Sequence, residues 1–366
     1  MAKDLARKYI LEVTPYIAGK PIEETKRQLG LKEVIKLASN ENPLGVSPKA
    51  VAAMKRIICA ANRYPDSSCF YLKKKLARYY GLKPENFIIG NGSDELIDIV
   101  VKTFAEKDQT VLTADTTFLE YEIIARVNGC KVVTAPLKYF KYDLEALKRK
   151  IDKQTKVIFI ANPNNPTGTY VTERELEEFI ELLPCNVLLV LDEAYDTFID
   201  VNDFPKSLKY IKKDNIILLK TFSKAYGLAG LRIGYAIADP QTTSCMEKVR
   251  QPFNVNLLAQ AAAQAALDDK KFLNRTKKLV LEGKDYLYDN LKKMGLAYVP
   301  SVANFILVDV ARPGLDLFKD MLRLGVIVRD MKQYGLNNFI RVTIGTKKEN
   351  EKFIRVLKKV LRKEQK

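Results

Sequence analysis

Val187-Leu188-Leu189-Val190-Leu191-Asp192-Glu193-Ala194-Tyr195 sets a run of apolar residues directly against two carboxylates and a tyrosine. A short, unbroken apolar run rich in β-forming residues reads as a strand buried on both faces, the pattern of strands inside a parallel sheet. The polar residues that come directly after it mark the strand's carboxyl end, which is where ligands bind in open parallel sheets. The same kind of run recurs on both sides. Val157-Ile158-Phe159-Ile160 precedes it and Ile216-Ile217-Leu218-Leu219 comes after; farther out lie Phe87-Ile88-Ile89, Thr110-Val111-Leu112, Lys131-Val132-Val133 and Ile233-Gly234-Tyr235-Ala236-Ile237. The stretches between them, such as Asp94 to Ala105 and Thr172 to Leu183, carry apolar residues at helical spacing, and Thr172 with Glu175 three residues on reads as a capped helix start. Strands alternating with helices between residues 85 and 240 predict βαβ units and an α/β fold with a mainly parallel seven-stranded sheet flanked by helices.

The pattern then changes. An Ala-rich helix, Leu257 to Leu267, is followed by a charged amphipathic helix, Phe272 to Met294, and by short strands and helices, which read as a smaller α+β domain. Ahead of the sheet, residues 1–35 read as a helical arm that ends where Val34-Ile35-Lys36-Leu37 forms a short strand. The expected organisation is an arm over 1–35, a large domain over 36–255, and a small C-terminal domain over 256–366 with the arm packed on it.

Composition removes several function classes. The chain of 366 residues has no histidine, which excludes Ser-His-Asp triads, imidazole acid–base catalysis and histidine metal sites. Proton transfer must fall to lysine, tyrosine, cysteine or a carboxylate. Five widely spaced cysteines without a C-x-x-C pair give neither a disulfide framework nor a zinc site. The N-terminus lacks the apolar core of a signal peptide and no apolar run approaches membrane-spanning length, so a cytoplasmic location without membrane contact is expected. The net charge of +17 comes from lysines scattered in pairs and triplets, which reads as a basic surface that attracts anionic substrates rather than a nucleic-acid site.

Five strand ends carry chemistry. Gly90-Asn91-Gly92-Ser93-Asp94-Glu95 is a glycine turn feeding a helix whose free N–H groups favour an anion; the third glycine of a dinucleotide fingerprint falls at Glu95. Asn162-Pro163-Asn164-Asn165-Pro166-Thr167-Gly168 alone is a turn cluster. Asp192 at a buried strand end is either hydrogen-bonded structurally or holds a cation. Thr221-Phe222-Ser223-Lys224-Ala225-Tyr226-Gly227 and Arg232 complete the set, and a lone lysine after a strand is ordinarily a surface residue. One cofactor accounts for all of them. Pyridoxal 5′-phosphate (PLP) needs a lysine amine to condense with its aldehyde, an acid against its ring nitrogen, donors to its ring oxygen and a cradle for its phosphate. A nicotinamide dinucleotide explains neither the lysine nor the arginine. Magnesium fits poorly because the carboxylates are not clustered, and no metal is expected.

Asn165-Pro166-Thr167-Gly168, Asp192-Glu193-Ala194-Tyr195 and Ser223-Lys224-Ala225-Tyr226-Gly227-Leu228-Ala229-Gly230-Leu231-Arg232 resemble, in order and spacing, the class I/II aminotransferases of PLP fold type I. More narrowly, Ser39-Asn40-Glu41-Asn42-Pro43-Leu44, Arg63-Tyr64-Pro65-Asp66, Gly92-Ser93-Asp94-Glu95, Pro252-Phe253-Asn254-Val255-Asn256, Ile327-Val328-Arg329-Asp330 and Ile340-Arg341-Val342-Thr343-Ile344-Gly345-Thr346 resemble histidinol-phosphate aminotransferases. The resemblance implies transamination between histidinol phosphate and 2-oxoglutarate (or its amine, glutamate) in histidine biosynthesis. It implies that Lys224 carries the cofactor and shuttles the proton, that Asp192 pairs with the ring nitrogen, and that Asn165 and Tyr195 hold the ring oxygen. Phe118 would stack on the ring, while Ser93, Asp94, Thr221, Ser223 and Arg232 would hold the phosphate. Tyr64 would reach that phosphate from the other subunit, which implies a homodimer. Arg341 would take a carboxylate, Arg329 would add a second positive charge for a phosphate, and Asn42 would contact substrate. The chain departs from the family pattern at Thr116, where a proline usually precedes the threonine, and at Ser67, where a glycine often follows Tyr-Pro-Asp. Aromatic or broad-specificity aminotransferases, a phosphothreonine decarboxylase and a non-catalytic regulator on the same fold are the competing readings.

Overall fold

The computed structural model describes residues 5–362. Strands are numbered in chain order. β1 (Ile35–Lys36) precedes β2 (Phe87–Gly90), β3 (Thr110–Ala114), β4 (Lys131–Ala135), the short hairpin β5 (Leu137–Lys138) and β6 (Lys141–Tyr142), β7 (Thr155–Ala161), β8 (Leu188–Asp192), β9 (Ile216–Thr221) and β10 (Gly234–Ile237). Seven of these form one sheet in the order β2-β10-β9-β8-β7-β3-β4. The run from β9 to β4 is parallel and β10 alone is reversed, antiparallel to both of its neighbours. Every residue of β2, β3, β8 and β10 is buried, because helices such as Ser93–Phe104 and Glu173–Glu181 cover the sheet faces. All seven apolar runs of the sequence are therefore strands of one sheet.

The reversal of β10 shapes the segment that leaves β9. Parallel neighbours need a long crossover, whereas antiparallel ones are joined by a direct return. The residues between Thr221 and Gly234, which face each other across the ladder, make that return with only a short 3-10 turn at Ala229–Leu231. Ser223 and Arg232 are thus brought back to one strand end although they lie far apart along the loop.

A second sheet, β11 (Tyr298–Val299), β12 (Phe305–Asp309), β14 (Arg329–Asp330) and β15 (Phe339–Thr343), runs β11-β12-β15-β14 and is antiparallel throughout. The Gly314–Arg323 and Lys347–Arg362 helices bury Leu317, Phe353 and Leu357 against Phe305 and Ile306 to give this part its own core. β13 (Val326–Ile327) pairs instead with β1, in parallel. The chain ahead of β1 holds the Lys8–Leu11 and Ile22–Leu29 helices, with residues 12–21 outside any helix or strand.

One expected division differs in the structure. The Leu257–Leu267 helix, read with the C-terminal part, packs on the Pro48–Ile57 helix and buries Ala259, Ala262, Ala263 and Ala266 in the core of the seven-stranded sheet. Alanine allows that close approach, and an Ala-rich helix carries little amphipathic signal to say which core it joins. Among the described residues no helix is long and apolar enough to cross a membrane.

Candidate active site

The parallel strands empty onto one edge, and their polar ends enclose a cavity of about 400 Å³. Of the residues singled out in the sequence, Ser93, Asp94, Phe118, Asn165, Asp192, Tyr195, Thr221, Ser223, Lys224, Arg232 and Arg341 line it; Asn42, Tyr64 and Arg329 do not.

Asp192 closes β8 and is only 5% exposed. Its carboxylate accepts hydrogen bonds from Tyr121 Oη at 2.7 Å and from the Ala194 amide at 3.1 Å, both neutral donors. Burial pushes the Asp192 carboxyl up to about 6, and those hydrogen bonds offset only part of the rise. Tyr121, fully buried and next to this carboxyl, has its phenol held well above the ordinary range, first by burial. Lys224 reaches across the floor, its Nζ 3.3 Å from the Ser39 carbonyl and 5.6 Å from the centre of the Tyr195 ring. Tyr195 Oη in turn accepts from Asn40 Nδ2 at 2.9 Å.

One end of the cavity is a cradle for an anion. The Ser93–Phe104 helix starts there without a side-chain cap, so its first N–H groups and its dipole favour negative charge. Gly92 adopts φ +89°, and a Cβ on it would sit 2.6 Å from a guanidinium nitrogen of Arg232. A Cβ on Gly234 would sit 2.8 Å from the Ser93 amide nitrogen. Both glycines keep the space that lets Arg232 lie against the helix start, where it pairs with Asp94 at 2.8 Å and donates to the Ala229 carbonyl at 3.0 Å. Thr221 and Ser223 supply hydroxyls on the same side.

The opposite wall comes from the second sheet. Arg341 on β15 is 4% exposed; it donates to the Ala38 carbonyl at 2.9 Å and to Asn165 Oδ1, and its Nε has no partner. Arg329 faces Arg341 in register across the β14–β15 ladder. Its guanidinium does not enter the cavity, however: it stacks over the Tyr16 ring at 5.3 Å and donates to Gln333, and Tyr16 lines the cavity in its place. Asn42 is also engaged elsewhere, donating to the Ala225 carbonyl at 2.9 Å and to Thr276 at 3.0 Å, where it pins the lysine loop from behind. Tyr64 is 82% exposed and stacks on Phe253 with ring centres 4.7 Å apart.

Sequence reasoning did not single out Asn40, Tyr16, Glu120 or Tyr121, all of which line the cavity. Asn40 lies inside the Ser39–Pro43 stretch, and Tyr121 lies one helical turn after Phe118, so position relative to a flagged motif was the available signal. Together, a lysine amine, a buried carboxyl, an aromatic wall and an anion cradle suit a planar ring that carries a phosphate at one end and a basic nitrogen within it.

Comparison with known proteins gives a consistent picture. Residues 32–357 match the model of the family described as aminotransferase class I and II. A histidinol-phosphate aminotransferase of Moorella thermoacetica is 48% identical over 97% of this chain and 92% of its own length. A histidinol-phosphate aminotransferase 2 of Carboxydothermus hydrogenoformans is 44% identical over 98% of this chain and 99% of its own. Among solved structures, the histidinol-phosphate aminotransferase of Sinorhizobium meliloti in complex with pyridoxal-5'-phosphate superposes with a TM-score of 0.91 at 29% identity, covering 98% of each chain.

Proposed function

This chain belongs to the aminotransferase class I and II family, and on that premise we propose that it exchanges an amino group between histidinol phosphate and 2-oxoglutarate with PLP bound in the cavity. The observation that carries this reading is the joining of Lys224, Asp192 and the Ser93–Arg232 cradle in one enclosure. When bound, PLP supplies an electron sink for the carbon that loses its proton. Lys224 is the group placed to hold and return that proton, since the chain has no histidine. Asp192 keeps a proton on the ring nitrogen; a cation there offsets the burial that otherwise holds its own carboxyl at about 6. Asn165 and Tyr195 hold the ring oxygen, Phe118 covers the ring, and Ser93, Asp94, Thr221, Ser223 and Arg232 hold the phosphate. Arg341, which lines the cavity, takes the substrate carboxylate.

The enzyme acts as a cytoplasmic homodimer in this reading. The exposed, stacked pair of Tyr64 and Phe253 supports it, because Tyr64 does not line the described cavity of its own chain. The end of the arm goes with the C-terminal part, a reading supported by the pairing of β1 with β13, whereas its Lys8–Leu11 helix packs on the Glu120–Val127 helix of the large domain.

One observation favours a second reading, in which unphosphorylated aromatic amino acids are the donors: Arg329 stacks behind Tyr16, which leaves Arg341 as the arginine in the donor wall. Half-reaction rates with histidinol phosphate, glutamate, tyrosine and phenylalanine separate the two. We expect wild type to prefer histidinol phosphate and Lys224→Ala to be inactive with every donor. In the histidinol-phosphate reading Arg329 turns from Tyr16 toward the phosphorylated donor, so Arg329→Ala should lower the specificity constant for histidinol phosphate about ten- to a hundredfold, since a charge-assisted hydrogen bond contributes about 1.5–3 kcal/mol, with less effect on glutamate. Arg341→Ala should impair both donors. Wild type that prefers tyrosine or phenylalanine, with Arg329→Ala selecting against no donor, establishes the aromatic reading instead.

A further inference from the structure

We propose that Lys220, through Glu193 and Asp196, is a positioning residue that locks together the two strand-end turns presenting Asp192–Tyr195 and Thr221–Lys224; the inference rests on the aminotransferase reading of the cavity.

The two turns leave neighbouring strands, β8 and β9. Backbone pairing between them ends with the Glu193 amide donating to the Leu219 carbonyl at 2.9 Å, so the ladder does not fix the residues beyond it. Side chains alternate across a sheet. Asp192 and Thr221 line the cavity, whereas Glu193 and Lys220 do not and are buried away from it. There Lys220 Nζ lies 2.6 Å from Glu193 Oε2 and 2.5 Å from Asp196 Oδ2. Glu193 follows Asp192 in the chain and Asp196 follows Tyr195, while Lys220 precedes Thr221. One ammonium therefore grips the β8 turn on both sides of its functional pair and anchors it to the residue where the lysine loop starts.

Three tyrosines, Tyr80, Tyr226 and Tyr235, lie near the clamp. Tyr235 on β10 stands opposite Lys220 in register, and Tyr80 of the Phe70–Tyr80 helix hydrogen-bonds Tyr235 at 2.7 Å. Lys220 is 7% exposed and Glu193 4% exposed. Burial on this scale is costly for an ion without partners, and removing one member leaves the others uncompensated. The clamp also bears on charge. The Glu193 carboxylate next to Asp192 disfavours ionisation of Asp192, and the Lys220 ammonium paired with it counters that effect. Loss of Lys220 should therefore do two things at once: loosen the relation of Asp192 and Tyr195 to Lys224, and make Asp192 harder to ionise. A misplacement of about 1 Å at a reacting centre is enough to cost on the order of a hundredfold in rate.

The test uses the PLP-loaded enzyme and three variants: Lys220→Arg, Lys220→Met, and the triple neutral variant Lys220→Met/Glu193→Gln/Asp196→Asn. For each, kcat and KM of the half-reaction, the pH at which the visible band of the bound cofactor changes, and Tm are measured. We expect Lys220→Met to lower kcat about ten- to a hundredfold with KM changed less than about threefold, and to shift the band's midpoint by about half a pH unit or more. Lys220→Arg should restore most of both. The triple variant strands no buried charge, so its Tm should return toward wild type while kcat stays low. If Lys220→Met does not accumulate as folded protein, the triple variant and Lys220→Arg decide. A triple variant whose kcat and band midpoint recover along with Tm, or a folded Lys220→Met with the wild-type midpoint and kcat, overturns the proposal and leaves the clamp a stabilising element only. Band formation and turnover in the wild type test the aminotransferase reading separately from any of these variants.

Discussion

Asp192 combines burial with two neutral hydrogen-bond donors, and the balance has a measurable sign. Its folded carboxyl stands at about 6 against an ordinary 3.8, because burial outweighs the hydrogen bonds from Tyr121 and the Ala194 amide. A group that holds its proton more tightly in the folded chain contributes stability that is fully present below 3.8 and is lost as pH rises through about 6. The full difference is at most about 3 kcal/mol. For the cofactor-free protein, Asp192→Asn, which keeps an acceptor for Tyr121, should therefore gain stability relative to wild type between about pH 4 and pH 7. Urea unfolding of both proteins across that range checks it; a difference independent of pH would mean that the buried carboxyl is not what is titrating. Much of this site was legible residue by residue, because a polar group placed directly after an apolar run has few structural excuses. What could not be read were the partners. Tyr121 is 71 residues from Asp192 and Asn40 is 155 from Tyr195, and nothing in the local pattern of either announces the bond. The side-chain directions of Arg329 and Asn42 were likewise hidden: both sit in the expected motifs and point to Tyr16 and to the lysine loop.

At the scale of elements, short apolar runs bounded by polar residues identified every strand of the large sheet, since a strand buried on both faces admits little else; the half-buried edge strand β4 was found by its pair of valines. Direction was not readable. The residues of β10 resemble those of its parallel neighbours, and its reversal appears only in the ladder. That reversal keeps the lysine loop a direct return and sets Arg232 beside the helix that starts at Ser93. The Glu173–Glu181 helix, by contrast, was legible to its first residue. Thr172 and Glu175 form a reciprocal cap, Glu175 accepting from the Thr172 amide at 2.7 Å and Thr172 Oγ1 accepting from the Glu175 amide at 3.3 Å. Thr172→Ala should cost about 1 kcal/mol of stability and leave turnover unchanged, because the cap lies outside the cavity. Chemical unfolding paired with a half-reaction rate tests both halves of that statement, and a loss of rate without a loss of stability would contradict it.

For the whole molecule, one of the polar ties between the two sheets is an ion pair whose lysine is buried. Lys284, in the long Lys270–Lys293 helix, is 5% exposed and places its Nζ 2.5 Å from Asp200 Oδ2 and 3.1 Å from the Ser301 carbonyl. Asp200 lies beyond β8 and its turn, whereas Ser301 leads into β12, so the ammonium spans both bodies. Asp200→Ala leaves that charge buried with only a carbonyl and should cost about 3 kcal/mol, whereas Lys284→Met removes the charge together with its need for a partner and should cost less. Thermal melts of the two variants rank them, and the opposite order would show that the tie is stabilising as a pair rather than necessary as a partner. The pairing of β1 with β13 has a different kind of consequence. Ile35 meets Val326, and the Leu37 carbonyl accepts from the Thr343 amide at 2.8 Å, yet this same early stretch supplies the Ser39 carbonyl and Asn40 to the cavity. A ribosome delivers a chain from its N-terminal end. The first wall of the chamber to be translated thus gains its strand partner only once Val326 has been made, and a nascent chain that has not reached Val326 holds its lysine in a room with one side still open.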